Sequence, residues 1–169
     1  MTRLLLLIAM TGLAACATTQ PTGGVVYNTD FDRVFSLNVR LGGVQDVEFY
    51  GTAPNGLAPQ GFADLMRTPG WYPPTQFRAV TPDPDPRGYY FVTSFGTDVV
   101  TPLCDRPRSG GDPRLVAMAL CLDVRQISRA VLRIDESRPL EPQISSLMRS
   151  LLPPPRPDDT PSFRRRLRQ

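Results

Sequence analysis

Histidine is absent from this 169-residue chain, and so is lysine; all 19 basic residues are arginine. The all-arginine usage reads first as coding bias, but the missing imidazole has chemical force. It removes the commonest general base and the commonest metal ligand. It also rules out Ser-His-Asp and Cys-His catalysis. Glutamate is scarce: only Glu48, Glu136 and Glu141 occur. A carboxylate-based hydrolase acting on cell-wall sugars needs two acids about 5–10 Å apart in a cleft. Nothing in the sequence pairs Asp32, Asp46 or Asp64 with one of the three glutamates. There is no Cys-x-x-Cys, no Gly-x-x-x-x-Gly-Lys phosphate loop, no dinucleotide fingerprint and no internal repeat. Long apolar runs are missing too. The longest, about 14 residues from Leu4 to Ala17, falls short of the roughly 20 that span a bilayer as a helix.

What is present is most informative at the start. MTRLLLLIAMTGLAAC places Arg3 first, then an apolar run from Leu4 to Met10, then small residues ending in Cys16. A positive head, a short apolar stretch and small residues at a cleavage site read as a secretory signal. Leu13-Ala14-Ala15-Cys16 further resembles the lipobox of bacterial lipoproteins. That resemblance implies cleavage before Cys16, acylation of its thiol and new amino group (palmitate among the chains), and anchorage of the mature chain in a membrane. Several acyl chains together hold a domain firmly where one binds only marginally. Residue 17 is Ala rather than Asp, which by the best-known sorting rule of that family implies the outer membrane, facing the periplasm.

With Cys16 lipidated, Cys104 and Cys121 remain. An even pair in an exported protein reads as a disulfide; two sulfurs without histidine make a zinc site the poorer reading. Charge is uneven. From Ala17 to Leu152 there are 13 Arg against 14 acidic residues, whereas Pro153 to Gln169 carries five Arg and two Asp. The basic character therefore belongs to the tail. A nucleic-acid-binding domain would carry its basic patch on the folded body, so no nucleic-acid partner is expected.

The chain divides into a signal peptide (1–15), a lipidated tether (16–24), one domain (25–152) and a Pro-rich basic tail (153–169). The domain is long enough to bury its own core. Val34 to Leu41 alternates as a half-buried strand. Val44 to Tyr50 fits either a second strand or the first turn of a helix. Gly61 to Thr68 reads as a short helix and Gln76 to Val80 as a short strand. The Trp71-Tyr72 pair beside Pro73-Pro74 is a loop, either packed back on the core or offered to a partner. Asp83 and Asp85 alternate with prolines in a stiff turn that is no EF-hand loop. Arg106 and Arg108 lie in a glycine-bearing solvated loop. Tyr89 to Phe95 is the clearest strand. Leu115 to Leu122 reads as a strand buried on both faces, paired in a hairpin with Ile127 to Ile134 across a turn at 123–126. Ile144, Leu147, Met148, Leu151 and Leu152 recur at helical spacing from about Glu141, with Pro142 in the first turn and three prolines as the stop. In the tail, Phe163 sits among Arg164, Arg165, Arg166 and Arg168, a composition suited to an extended or disordered arm that is either a solubilising tail without a partner or one that touches anionic lipid.

The fold expected is α+β: a small antiparallel sheet with one or two packed helices, a C-terminal helix near 141–152 and a disordered Pro/Arg-rich tail. The function expected is that of a non-enzymatic envelope lipoprotein, an accessory that docks a protein partner. Its handles would be the Cys16 lipid, a sheet face, Trp71 and Tyr72, and the tail residues Phe163, Arg164, Arg165, Arg166 and Arg168. No catalytic residue, cofactor or metal is expected. The alternatives are a carrier or sensor of a small apolar or lipid ligand, held in an enclosed pocket between sheet and helix, and the carboxylate hydrolase above.

Overall fold

A computed structural model of the chain describes residues 43–86, 88–96, 102–105, 109–152 and 154. The signal peptide, Cys16, the tether, the 34–41 strand, Arg106, Arg108 and the tail residues Phe163, Arg164, Arg165, Arg166 and Arg168 lie outside the described residues.

Every described segment that alternates, or runs apolar and β-branched, becomes a strand: β1 (Val44–Tyr50), β2 (Gln76–Val80), β3 (Tyr89–Phe95), β4 (Leu115–Leu122) and β5 (Arg125–Arg133). Two helices join them, α1 (Pro59–Ala63) and α2 (Leu140–Leu151), and the class is α+β. The strands form one sheet in the order β2-β1-β3-β4-β5. The β3-β4-β5 half is the expected antiparallel meander. The other half is parallel: β1 lies between β2 and β3 and runs parallel to both. Parallel neighbours need crossover connections. The β1–β2 crossover carries α1 across one face of the sheet. The β2–β3 link is only residues 81–88, and it is tied to β1 where the Asp83 N–H donates to Glu48 Oε1 at 3.0 Å.

Alternation assigns the two faces. On the first, Val47, Phe91, Phe95, Met118, Leu120 and Leu132 meet α1 and α2. Phe62 of α1 is inserted edge-on against Phe49 and Phe95, with ring centroids 5.9 and 5.1 Å away. The helical spacing of α2 delivers Ile144, Leu147, Met148 and Leu151 into this core, all fully buried. Gln143 secures the β5–α2 connection: its amide donates to the carbonyls of Asp135, Arg138 and Pro139 and accepts the Asp135 N–H. On the second face, Tyr90, Val92, Ala117, Ala119, Cys121 and Val131 pack beneath Leu103 and Cys104.

Two boundaries differ from expectation, and one open alternative is decided. The first helix runs Pro59–Ala63 rather than 61–68: it starts two residues earlier, where proline suits the first turn, and ends five residues earlier, burying Phe62 and Ala63. Val44 to Tyr50 is a strand, since Val47 and Phe49 are needed on the same side as Phe91 and Phe95. The hairpin turn is tighter than 123–126: Leu122 pairs with Arg125, leaving Asp123 (φ +50°) and Val124 as the turn. A bulge then makes Ile127 the extra residue between Cys121↔Gln126 and Leu120↔Ser128, and Ile127 enters the core.

Candidate functional site

Three features of the body have the chemistry to carry a function. The first is the stapled loop on the second face. Cys104 and Cys121 form a disulfide with Cα atoms 5.7 Å apart. It pins the β3–β4 connection onto β4. Gln126 reinforces it, its Oε1 accepting the Leu103 N–H at 3.2 Å. Where the loop returns, Gly111 lies on Gly96; a Cβ there would meet the Gly96 carbonyl oxygen at 2.7 Å, so only glycine fits.

Beside the staple is a buried polar cluster. Residues 48 and 50 share a strand face, and Tyr90 stands on the same face of β3. The Tyr50 hydroxyl donates to Glu48 Oε2 at 2.8 Å, while Glu48 Oε1 holds the 81–88 link. The Tyr90 hydroxyl donates to the Asp123 carbonyl at 3.0 Å and the Cys104 carbonyl at 3.3 Å. Burial pushes the Tyr90 phenol up to about 12, with the negative charges of Glu48, Asp123 and Asp83 adding to the effect. Burial and the Glu48 hydrogen bond push Tyr50 higher still. Both phenols therefore stay neutral at physiological pH. Both Glu48 oxygens are engaged in holding structure. The cluster is a lock between β1, β3, the 81–88 link and the disulfide loop.

The third feature is an open groove of about 730 Å³ along β2, the strand at the sheet edge. Ala63, Met66, Phe77 and Val44 line it, with Gln60, Asp64, Arg67 and Arg78 among its polar walls. Gln76 donates its N–H inward to Gly43, so Phe77 and Ala79 turn their peptide groups outward. Gln60 of α1 meets them: its Nε2 donates to the Phe77 carbonyl at 3.2 Å and its Oε1 accepts the Ala79 N–H at 2.9 Å. A carbonyl at one residue and an N–H two residues on are the groups a neighbouring parallel strand would bond. One glutamine side chain thus stands in for one residue of a sixth strand. Gln60 is held in that pose by Asp64, whose Oδ1 accepts from Nε2 at 2.8 Å.

The residues singled out in the sequence fall as follows. Cys104 and Cys121 are joined. Tyr72 is buried in the main core, so it is no external handle. Trp71 is 39 % exposed, and its Nε1 donates to the Leu152 carbonyl at 2.9 Å, which ties its loop to the end of α2. The core under α2 is solid: Leu147, Leu151 and Leu152 are fully buried, and the groove lies elsewhere, open to solvent. Glu136 and Glu141 are exposed near the start of α2, apart from buried Glu48 on β1. Among the described residues no group of three or more Cys, Asp or Glu is placed to hold a metal ion, and no helix is long and apolar enough to cross a membrane. Gln60, Glu48 and Tyr90 escaped sequence reading; only the i, i+2 spacing of Glu48 and Tyr50 hinted at a shared face.

No family model, curated protein or solved structure matches this chain.

Proposed function

We propose that the chain is a lipid-anchored cell-envelope protein that acts as a non-enzymatic accessory, docking a protein partner in the periplasm or at the outer membrane. The observation that carries this reading is the Cys104–Cys121 disulfide in a chain whose first sixteen residues resemble a lipoprotein signal. Disulfides of this kind belong to oxidising compartments outside the cytosol. Cys16 is the acylated residue, and the mature chain starts there.

Docking is favoured over carriage of a small ligand by the same geometry. A carrier needs an enclosed cavity. The space beneath α2 is filled by side chains, whereas the accessible recess is an open groove beside a strand edge. The recess offers a partner Val44, Met66 and Phe77, while Gln60 keeps outward peptide groups of the β2 edge occupied.

Mass spectrometry of protein extracted from its native membranes tests the address. The expected species lacks residues 1–15, carries acyl chains on Cys16 and is lighter by one disulfide's two hydrogens. A species that retains Met1, or one with a free Cys16 thiol, overturns the reading. Crosslinking in intact envelopes tests the role; recovery of the protein alone under several crosslinkers contradicts docking.

A further inference from the structure

Turns whose two central residues both take positive φ favour the pair Asn-Gly. Asn55-Gly56, in the connection from β1 to α1, is the one Asn-Gly pair in the chain. Asn55 has φ +58° and ψ +19°, and Gly56 has φ +65°. The Leu57 N–H closes the turn on the Pro54 carbonyl at 3.3 Å, and the Gly56 N–H donates to the Ala53 carbonyl, also at 3.3 Å. Backbone geometry therefore accounts for the presence of the pair. Its chemistry has a further consequence.

The two residues form the exposed tip of a loop that is anchored on both sides. Ala53 and Pro54 before them are buried, and Leu57 after them packs against the main core. Asn55 and Gly56 themselves are exposed. Apart from its chain neighbours, nothing lies within 4 Å of the place a Cβ on Gly56 would take. Among the described residues the Asn55 carboxamide makes no hydrogen bond. The two bonds that hold the turn are just longer than the usual N–H···O range.

We propose that Asn55 is a self-modification site, at which the Gly56 nitrogen converts asparagine to isoaspartate and aspartate in the folded protein. The Gly56 nitrogen gives its proton to hydroxide and attacks Asn55 Cγ. The new N–C bond forms as the Cγ–Nδ2 bond breaks, and Nδ2 takes a proton from water and leaves as ammonia. The product is a cyclic succinimide. Water then opens the ring at either carbonyl. Attack at Cγ leaves aspartate; attack at the main-chain carbonyl leaves isoaspartate, in which the chain runs through Cβ and Cγ. Water is the only co-reactant. Glycine hinders the attack least, because it brings no Cβ beside its nitrogen. The turn sets the rate. Ring closure needs the Gly56 nitrogen eclipsed with Asn55 Cβ, and ψ +19° holds it rotated away. The turn must open first, and an exposed turn held by two long bonds opens at low cost. Isoaspartate lengthens the main chain by a carbon just ahead of Pro59, where α1 starts, so the two turn bonds cannot both survive. The proposal does not depend on the lipoprotein reading.

The test uses the full-length folded protein, held at mildly alkaline pH and sampled over weeks beside the same chain in urea. Digestion at acid pH and mass spectrometry follow the peptide that contains Asn55. The folded sample should gain the mass difference between an amide and an acid at Asn55, about tenfold more slowly than the unfolded one, as expected when two weak hydrogen bonds must open first. Isoaspartate should exceed aspartate, and an isoaspartyl methyltransferase should label the peptide. Asn55→Gln, whose larger ring closes slowly, should abolish the gain at this position. Amide exchange at Leu57 should be faster in the isoaspartate form than in Asn55→Asp, which keeps the main-chain length. The proposal is overturned if Asn55 stays intact in the folded protein while the unfolded chain is converted, or if aspartate is the sole product. Equal rates in the folded and unfolded chains, or equal exchange at Leu57 in the two acid forms, remove the turn from its part in the account. The wild-type measurement needs no substitution, so a misfolded variant does not blunt the test.

Discussion

Tyr90 shows how much one side chain can hold. Its hydroxyl reaches the Asp123 carbonyl at the hairpin turn and the Cys104 carbonyl in the stapled loop. Loss of that hydroxyl in Tyr90→Phe should cost about 1–2 kcal/mol, since the two carbonyls lose the one donor they share. The raised phenol pKa also sets a pH dependence. In the unfolded chain Tyr90 titrates near 10, and in the folded protein near 12. The folded state therefore keeps a proton that the unfolded state has released between those values. The stabilisation is complete below about pH 10 and is lost as pH rises towards 12, and Tyr50 acts in the same direction. Urea midpoints taken from pH 8 to 11.5 should fall above about 10, with a shallower fall in Tyr90→Phe. A flat profile across that interval would refute the account. At this scale the sequence was readable for Cys104 and Cys121, which were expected to pair and are joined in the structure. It was unreadable for Tyr90, because the acceptors Cys104 and Asp123 lie 14 and 33 residues away.

Among the elements, the disulfide and the β2 edge make the sharpest demands. The Cys104–Cys121 bridge spans 17 residues, and closing such a loop in the unfolded chain is worth about 3 kcal/mol. The C104A/C121A double variant should lose roughly that amount in urea unfolding, and dithiothreitol should lower the wild-type midpoint without affecting the double variant. Gln60→Ala removes the side chain that occupies half of the outward groups of β2. Its cost in stability should be only about 1 kcal/mol. Its larger effect should be on behaviour, because a bare edge invites pairing with another chain. Amide exchange at Ala79 should speed up and sedimentation should become concentration-dependent. An unchanged, monomeric Gln60→Ala protein with a protected Ala79 amide would remove Gln60 from this role. The strands β2 to β5 and the helix α2 could be read from local composition and spacing, to within a residue or two. The Val44–Tyr50 segment could not, for its pattern decides nothing until Phe91 and Phe95 lie alongside it.

Taken as a whole, the molecule is a sheet buried on both sides, with its larger core under the helices. Leu147 has no exposed surface in that core. Leu147→Ala should destabilise the protein by about 2–5 kcal/mol, measurable as a lowered urea midpoint with an unchanged slope; a loss under about 1 kcal/mol would mean the space under α2 is looser than described. The same burial bears on the ligand-carrier alternative, since the space beneath α2 is filled by Ile144, Leu147, Met148 and Leu151. Strand direction decides which distant residues share an end of the sheet. Val44 and the Asp123-Val124 turn lie at one end because β1, β2 and β3 start together and β4 ends beside them.

By itself the sequence determined what depends on neighbours along the chain: the α+β class, most strands, the amphipathic C-terminal helix and the terms of the disulfide. Those rest on alternation, helical spacing, proline placement and cysteine count, all of them local or arithmetical. Only the tertiary structure decided that β1 lies parallel between β2 and β3, that Gln60 closes the outer edge, and that Tyr72 is internal while Trp71 is partly exposed. These depend on contacts between residues far apart in the chain, and the hydrophobic effect that brings them together has no direction of its own. Which strand neighbours which is settled by the joint burial of both sheet faces, and no stretch of sequence read alone contains that sum.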